Sequence, residues 1–159
     1  MRLYRLCKEA HSADVLLGQG GLIDWGRWHS KGRRIVYCAT VEALAVLEVR
    51  VNLGNERAAV RYVMHTIELP DDGVSPIAAE LLPTNWNAVP SKAASQKIGN
   101  AWLSSGRSLG LRVPSVHSRT DFNVLLNPAC ADYDRVQVLN RYRYPFDDRL
   151  FAMPDLGGH

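Results

Sequence analysis

An apolar run followed at once by a helical repeat, over residues 34–53, constrains the fold of this chain most. Residues 34–39 are rich in side chains that favour a strand. Residues 41–53 repeat at the helical period, and Thr40 ahead of them suits an N-cap. Three side chains are spaced to share one face of this helix: Leu44, Leu47 and Val51. Because apolar residues also occupy its other sides, we expect the helix to be buried nearly all round.

Glu48 is the unexpected residue of this helix, since nearly all its neighbours are apolar. An ionised carboxylate in such a place must be paired, hydrogen-bonded or directed into a wet cleft, because burying it bare is very unfavourable. One interpretation is a structural ion pair with Arg50 or Arg27. The other is a functional carboxylate at the edge of a cleft.

Two further polar residues lie just before Glu48 in the chain. Arg27 sits in a loop between Trp25 and Trp28, and Tyr37 sits near the end of the apolar run. The tryptophans either pin this loop to the core or hold the arginine rigid, so that it can grip phosphate. A loop, a strand and a helix would then bring together a cation, an aromatic ring and a carboxylate. This set suits a ligand with phosphates, a flat ring and a bond that breaks through a cationic transition state.

Size and composition limit the class of protein. A chain of 159 residues is most simply a single domain with a proper core. Its net charge of +3 permits an anionic ligand, but it does not indicate a dedicated nucleic-acid binder. The three cysteines are far apart, which indicates neither a disulfide framework nor a zinc site, and Cys38 is expected in the core. No signal peptide or membrane-spanning run is recognisable, so we expect a cytoplasmic protein and no membrane partner.

The remaining chain predicts short strands and a few helices. The strands are expected at residues 3–7, 60–69, 109–113 and 135–139, and residues 121–127 form a further apolar run with polar interruptions. A helix capped by Ser91 is expected to run through Trp102 and to end at Gly106, and Gly54 is expected to end the earlier helix. Glycines at 18, 20 and 21 favour flexibility over a phosphate cradle. The prediction is an α+β fold, a single compact domain with short, mostly antiparallel strands.

Three other polar residues are candidates for a site or for a structural role. Arg5 points away from its apolar strand neighbours, so it is either solvated or directed into a cleft. Ser115 follows Pro114 at a strand end, where it is either a plain turn serine or a residue that reaches a cleft. His65, on the apolar face of a strand, is expected to be a core histidine with satisfied hydrogen bonds.

These residues together resemble the RES-domain family over nearly the whole chain. The segments that carry the resemblance follow the family's order: Gly26-Arg27-Trp28-His29-Ser30 with Gly32, Val36-Tyr37-Cys38-Ala39, Ala45-Val46-Leu47-Glu48, Leu82-Pro83 before Trp86, Ile98-Gly99-Asn100-Ala101-Trp102-Leu103, Leu111-Arg112-Val113-Pro114-Ser115, Asn123-Val124-Leu125-Leu126-Asn127-Pro128 and Phe146-Asp147-Asp148-Arg149-Leu150. The resemblance implies one RES domain over residues 1–159. One departure is His29, because the family usually has Asn after the Arg-Trp pair, and this leaves the role of His29 open.

The resemblance also implies a function. The family is named for an arginine, a glutamate and a serine, which match Arg27, Glu48 and Ser115 here. Its members resemble ADP-ribosyltransferase toxins in fold, consume NAD and form the toxin half of bacterial toxin–antitoxin pairs. The implied partner is an Xre-like antitoxin with a helix-turn-helix DNA-binding domain. NAD is thus the implied substrate, with no resident cofactor or metal.

Each candidate residue has a role that this chemistry requires. Cleavage of the nicotinamide–ribose bond builds positive charge on the ribose, so Glu48 is expected to stabilise the transition state. Arg27 suits the pyrophosphate, and Arg5 is a lesser candidate for it. Tyr37 is expected to stack on nicotinamide or ribose. Ser115 is expected to donate a hydrogen bond to the nicotinamide amide or to ribose, and one further residue is a weaker candidate for the lining: Asn123.

Several functions stay open at this stage. Water as the acceptor gives hydrolysis, phosphate as co-substrate gives phosphorolysis, and a protein side chain gives mono-ADP-ribosyl transfer. A toxin that targets RNA is an alternative from a different class of function, but the chain lacks a basic stripe and an RNA-cleaving His/Lys cluster. A non-catalytic protein-binding module is the last alternative. The sequence predicts no direct nucleic-acid binding by this chain.

Overall fold

The computed structural model describes residues 1–53, 60–89 and 93–151 of the chain. Its strands are β1 (Arg2–Lys8), β2 (Val36–Ala39), β3 (Tyr62–Glu68), β4 (Val74–Pro76), β5 (Gly110–Pro114), β6 (Phe122–Leu126) and β7 (Gln137–Tyr144). Its α-helices are α1 (Gly20–Ile23), α2 (Glu42–Arg50) and α3 (Ala93–Ser105). Short 3-10 helices lie at Glu9–His11, Asp71–Gly73, Ala79–Leu81, Tyr133–Arg135 and Asp148–Leu150.

All these strands form one sheet in the order β4-β5-β6-β2-β1-β3-β7. Each neighbouring pair is antiparallel except β4 and β5, which are parallel. The predicted α+β fold of short, mostly antiparallel strands in one compact domain is therefore confirmed. The predicted strands all exist, whereas β4 and α1 were not foreseen. The predicted ends at Ser91 and Gly54 lie outside the described residues.

Helix α2 packs on one side only, against a core cluster that includes Leu6, Ala39 and Met64. It buries three consecutive side chains there, namely Leu44, Ala45 and Val46. Leu47 and Val51 stay 41% and 52% exposed. The predictions of burial all round and of a shared Leu44/Leu47/Val51 core face are thus wrong, because the sheet covers a single side of the helix.

The connection between β2 and α2 also differs from the prediction. Val41, not Thr40, occupies the N-cap position of α2, and it makes no side-chain cap. The Thr40 hydroxyl instead donates to the carbonyl of Phe122 and accepts from its N–H, both at 3.1 Å. Thr40 therefore ties the end of β2 to the start of β6, and this fixes where α2 leaves the sheet.

Strands β1 and β2 are paired at a single position, Tyr4 with Ala39, whereas β1 and β3 are paired at seven positions. The carbonyl of Tyr37 therefore lies beyond the β1–β2 ladder, and Arg5 Nη1 donates to it at 2.7 Å. Since a buried carbonyl needs a donor, this bond stabilises the divergence of the strands. The same bond places the Arg5 side chain at the opening between β1 and β2 rather than in bulk solvent.

The glycine-rich loop packs closely against the segment before β2. A Cβ on Gly21 would lie 2.1 Å from the carbonyl oxygen of Arg33, and one on Gly18 would lie 2.6 Å from the nitrogen of Ile35. Gly18 also has a φ of 64°, which glycine adopts without strain. Close approach of two backbones, rather than the predicted flexibility, requires glycine here.

Two core expectations are confirmed by burial. Cys38 is a buried core residue, and His65 is fully buried with its Nε2 2.8 Å from the Ser12 hydroxyl. Within the described part of the chain, no helix is long and apolar enough to cross a membrane.

Candidate functional site

A cavity of about 890 Å³ lies between α2, the divergence of β1 and β2, and the loop before α3. Five of the six predicted site residues line it: Arg5, Arg27, Tyr37, Glu48 and Asn123. The sixth, Ser115, lies directly behind Glu48. Residues that are far apart in the sequence thus meet at one place because β2, α2 and β6 are neighbours in the fold.

Glu48 is held through one of its two carboxylate oxygens. Its Oε1 accepts from the Ser115 hydroxyl at 2.8 Å and from Asn123 Nδ2 at 2.6 Å. Its Oε2 lies 3.8 Å from Nε2 of His117, and 31% of the Glu48 side chain remains exposed. The carboxylate is therefore oriented by neutral donors, with its second oxygen directed to the cavity.

A structural ion pair does not explain Glu48. The Arg50 guanidinium donates instead to the carbonyls of Leu53 and Leu150 and lies over the ring of Phe151. Arg27 donates to the backbone carbonyls of Trp86 and Ala88 instead, and Glu48 acts on it only through its charge, which raises the pKa of the guanidinium. Of the two interpretations of Glu48, the structure favours a carboxylate that faces a cleft.

Ser115 is 5% exposed and forms the back wall of the site. Its hydroxyl donates to Glu48 and accepts from the backbone N–H of His117 at 3.0 Å. A serine hydroxyl has one proton to donate, and here Glu48 receives it. Ser115 thus makes the side-chain-to-backbone bond of a turn serine and also orients Glu48, and it cannot donate to a ligand while the bond to Glu48 persists.

Arg27 is fixed by the loop before α3. Its Nη1 donates to the carbonyls of Trp86 at 2.7 Å and Ala88 at 2.9 Å. Burial lowers the pKa of the guanidinium, and Glu48 opposes this shift. An arginine has five N–H donors, and within the described residues only Nη1 is bonded, so Nε and Nη2 are available there for a ligand.

The two tryptophans that flank Arg27 have different roles. Trp28 is buried and its ring lies 6.4 Å from that of Trp86, which pins this loop to the one that holds Arg27. Trp25 is exposed and lines the cavity. Trp28 therefore pins the loop, as one interpretation expected, whereas Arg27 is held by the carbonyls of Trp86 and Ala88 rather than by Trp25.

Tyr37 presents its ring to the cavity and its hydroxyl to the loop around Arg27. The hydroxyl accepts from the Trp28 N–H at 3.2 Å and lies 2.9 Å from Nδ1 of His29. Burial raises the pKa of Tyr37, so the phenol stays protonated, and burial lowers the pKa of His29. The Tyr37 hydroxyl and the neutral His29 imidazole are thus hydrogen-bond partners, so His29 positions Tyr37 rather than contacting the cavity.

Sequence reasoning missed His117, the loop carbonyls that hold Arg27, and the acidic residue Asp24 on the cavity wall. His117 follows Ser115 by two residues, which was a usable signal, whereas the partners of Arg27 lie about 60 residues away in the chain. Among the described residues, no group of three or more His, Cys, Asp or Glu is arranged to hold a metal ion.

The site can thus bind an anion and stabilise a cation side by side. The arginines Arg5 and Arg27 attract negative groups, and the open oxygen of Glu48 attracts a positive centre. A volume of about 890 Å³ lies at the upper end of the range of ligand pockets, which suits an extended ligand.

Comparison with known proteins finds relatives that match most of the chain. A protein named Toxin Res from Photorhabdus laumondii is 34% identical over 151 residues, which covers 94% of this chain and 97% of that protein. A protein named Prs ADP-ribosylating toxin from Sphingobium sp. is 34% identical over 154 residues, which covers 92% of this chain and 94% of that protein. A third, Toxin Res from Pseudomonas putida, is 39% identical over 140 residues, covering 86% and 92%.

A solved structure shares the fold. It is the crystal structure of the M. tuberculosis MbcT-MbcA toxin-antitoxin complex, with a TM-score of 0.75, 17% sequence identity, and coverage of 94% of this chain and 86% of that one. The sequence profile of the RES domain matches residues 2–147. Together with the full-length relatives above 30% identity, this match shows that the chain belongs to the RES domain family.

Proposed function

We propose that this chain is the toxin of a bacterial toxin–antitoxin pair and that it cleaves the nicotinamide–ribose bond of NAD. The observation that carries the proposal is the open oxygen of Glu48, in a cavity that also holds two arginines. The relatives named Toxin Res support the toxin role, and the relative named ADP-ribosylating toxin supports a nicotinamide dinucleotide as substrate.

Glu48 supplies the catalytic electrostatics. As the C1′–N bond breaks, its electron pair neutralises the pyridinium and positive charge moves to the ribose. A carboxylate beside that ring binds the transition state more tightly than the ground state, which lowers the barrier. The donors Ser115 and Asn123 keep the carboxylate in one orientation, so no reorganisation is needed during the reaction. Nicotinamide departs neutral and requires no strong general acid.

The arginines and the aromatic ring bind the rest of the dinucleotide. Arg27 offers Nε and Nη2 to the pyrophosphate, while its Nη1 stays anchored to the loop carbonyls. Arg5 adds a second positive charge at the same cavity. Tyr37 offers a ring surface for nicotinamide or ribose, with its hydroxyl fixed by the Trp28 N–H.

Mono-ADP-ribosyl transfer to a cellular protein is the second candidate function. The relative named Prs ADP-ribosylating toxin favours it, since it is 34% identical over 92% of this chain. The two functions share the breaking of the C1′–N bond and differ in the acceptor. Water gives ADP-ribose, inorganic phosphate gives its 1-phosphate, and a protein side chain gives a modified protein.

The proposed partner is an Xre-like antitoxin that covers the cavity. The solved structure of similar fold is titled a toxin-antitoxin complex, which supports a partner protein. Several exposed apolar side chains surround the cavity and would be buried by such a partner: Trp25, Val51 and Val89. NAD turnover should therefore fall when a co-expressed antitoxin is present.

The decisive experiment is nicotinamide release from NAD by the purified chain. We expect Glu48→Gln to lower turnover by about 10³-fold, because removal of one preorganised charge in such a site has effects of this size. Glu42→Gln is the matched control: Glu42 lies on the same helix, but its carboxylate bonds to Tyr142 outside the cavity. Unfolding temperatures of both variants confirm that each is folded.

Arg27→Ala tests the proposed binding of the pyrophosphate by Arg27. We expect its kcat/KM to fall about 10–100-fold, the effect of losing a charge-assisted hydrogen bond of about 1.5–3 kcal/mol. Arg34→Ala is its control, since Arg34 is an exposed arginine that also donates to a backbone carbonyl. If the wild-type chain releases no nicotinamide but binds RNA or a protein partner, the proposal is wrong.

A further inference from the structure

The histidine next to Glu48 has no place in the functional roles given so far. His117 lines the cavity, and 27% of its side chain is exposed. Its Nε2 lies 3.8 Å from Glu48 Oε2, the carboxylate oxygen that Ser115 and Asn123 leave open. The imidazole therefore faces the part of the carboxylate that is directed to the substrate.

Hydrogen bonds of its loop fix the position of His117 beside Glu48. Its backbone N–H donates to the Ser115 hydroxyl, which in turn donates to Glu48, so two hydrogen bonds tie the backbone of His117 to the carboxylate. The following turn is closed by the Ser118 hydroxyl, which donates to Asp121 and accepts from its N–H at 3.0 Å. These bonds hold the loop that carries His117 beside the carboxylate.

The gap between the two groups has the size of one bridging oxygen. A separation of 3.8 Å is too long for a direct hydrogen bond. An oxygen atom at about 2.8 Å from both Nε2 and Oε2 would nevertheless satisfy each of them with ordinary hydrogen-bond lengths. An acceptor hydroxyl held in this way lies beside the ribose carbon that Glu48 stabilises.

We propose that His117 is a catalytic residue that binds the acceptor oxygen and takes its proton, an inference that rests on the proposed NAD cleavage. A water oxygen forms the new bond to C1′ as the C1′–N bond breaks, and the electron pair of that bond goes to nicotinamide. The O–H bond of the water breaks, and its proton goes to Nε2 of His117. The products are ADP-ribose, neutral nicotinamide and an imidazolium that faces the Glu48 carboxylate and later loses its proton to solvent.

An alternative role for His117 is purely electrostatic, as a neighbour that keeps Glu48 in place. The two roles differ when the acceptor carries no proton. Azide is a nucleophile that needs no base, so it bypasses a missing base but does not repair a misplaced carboxylate. His117→Ala also leaves space for azide beside C1′.

The test compares the wild type, His117→Ala, Glu48→Gln and His11→Ala in nicotinamide release, each with and without azide. His11 is the matched control, because it is an exposed histidine in the Glu9–His11 turn and does not line the cavity. We expect His117→Ala to lose about 10²–10⁴-fold in kcat, the usual contribution of a general base, with KM for NAD close to that of the wild type. Azide should restore most of the lost rate and give ADP-ribosyl azide.

The outcomes separate the two proposals. Full turnover by His117→Ala, or a loss that azide does not restore, overturns the role of His117 while an inactive Glu48→Gln still supports NAD cleavage. If the wild type releases no nicotinamide, the proposed function fails and the role of His117 falls with it. Unfolding temperatures exclude misfolding as the cause of a loss, and His117→Asn serves as a second variant.

Discussion

Two cavities in this protein each lie beside a serine and a histidine, and of the two only the first is lined by carboxylates. The first is the candidate site, where Ser115 and His117 flank Glu48. The second, of about 520 Å³, contains Ser12 and His65, with the Ser12 hydroxyl 2.8 Å from His65 Nε2. His65 lies on the face of the sheet opposite to the one that α2 covers, because it is adjacent along β3 to Met64, which packs against that helix. Arg5, the register partner of His65, starts from the same face and reaches the first cavity.

The polar groups of the second cavity satisfy one another. Cys7 Sγ lies 3.9 Å from His65 Nδ1, so both ring nitrogens have a neighbour. Burial raises the pKa of Cys7 and lowers that of His65, and both groups therefore stay neutral near pH 7. His65, Ser12 and Cys7 are neutral, and the charged side chain on this cavity's lining, Arg141, is a cation that disfavours protonation of His65, which indicates a structural cluster.

In the first cavity a charge is held with part of its hydrogen-bonding capacity unused. Glu48 has one oxygen occupied and one open, and Arg27 has nitrogens that remain for a ligand. The comparison shows that a serine–histidine pair alone is weak support for a catalytic site. An oriented charge with an open position is stronger support.

We expect the largest difference in activity between variants of the two cavities when the two groups that orient Glu48 are removed. We expect the double variant Ser115→Ala/Asn123→Ala to lower kcat for nicotinamide release about 10²-fold or more. Each lost charge-assisted hydrogen bond is worth about 1.5–3 kcal/mol, and about 1.4 kcal/mol corresponds to a tenfold rate change. Ser12→Ala, its matched control in the second cavity, should keep the wild-type rate. A double variant with full turnover would show that the orientation of Glu48 is unimportant.

The strands of this fold were predictable because their apolar residues alternate. Strands β1 and β3 are examples, and their predicted limits differ from the observed ones by one or two residues. The three-residue strand β4 offers too few residues for a pattern. The exposure of Leu47 and Val51 was not predictable either, since a helical period shows which residues share a face but not how many faces are covered.

The candidate residues of the site were predictable from their unusual places, whereas their partners were not. A carboxylate in an apolar helix and an arginine between tryptophans stand out in sequence, and the structure brings Glu48 and Arg27 to one cavity. That Ser115 donates to Glu48, and that loop carbonyls occupy Arg27 Nη1, depends on contacts between residues about 60 positions apart. Such contacts follow from strand order, which no local pattern encodes.

Variants of the aromatic residues are expected to change nicotinamide release less, and they also distinguish the two cavities. We expect Tyr37→Ala to lower kcat/KM for NAD about two- to tenfold, because aromatic stacking contributes about 0.5–1.5 kcal/mol. Tyr37→Phe should keep the rate, since the hydroxyl bonds to Trp28 and His29 rather than facing the cavity. Its free energy of unfolding should fall by about 1 kcal/mol.

The control for Tyr37 lies on the other face. The Tyr133 hydroxyl donates to the carbonyl of Leu16, a residue that lines the second cavity. Tyr133→Phe should lower the free energy of unfolding by a similar amount and leave nicotinamide release unchanged. If Tyr37→Phe is as inactive as Tyr37→Ala, the hydroxyl rather than the ring has the functional role.

The smallest expected effect concerns the pH dependence of stability, and it belongs to the second cavity. Burial lowers the pKa of His65; backbone hydrogen bonds at Arg5 and Val63 oppose this shift, and the positive charges of Arg5 and Arg141 add to it. In the unfolded chain a histidine titrates near pH 6.5. Below that pH the unfolded chain binds a proton that the folded protein resists, so the free energy of unfolding decreases as pH falls from about 6.5 toward the lowered pKa. The contribution of one such group cannot exceed about 1.4 kcal/mol per pH unit.

His65→Gln should therefore flatten the fall in the free energy of unfolding between about pH 7 and pH 5, as measured by urea denaturation at several pH values. A residual slope is expected, because burial also lowers the pKa of His29. His11→Gln, which changes an exposed histidine, should keep the wild-type slope. At pH 7.5 the folded His65→Gln protein should release nicotinamide at the wild-type rate. A large loss of turnover in that variant would mean that the two faces of the sheet are coupled, and the assignment of the second cavity to structure alone would then be wrong.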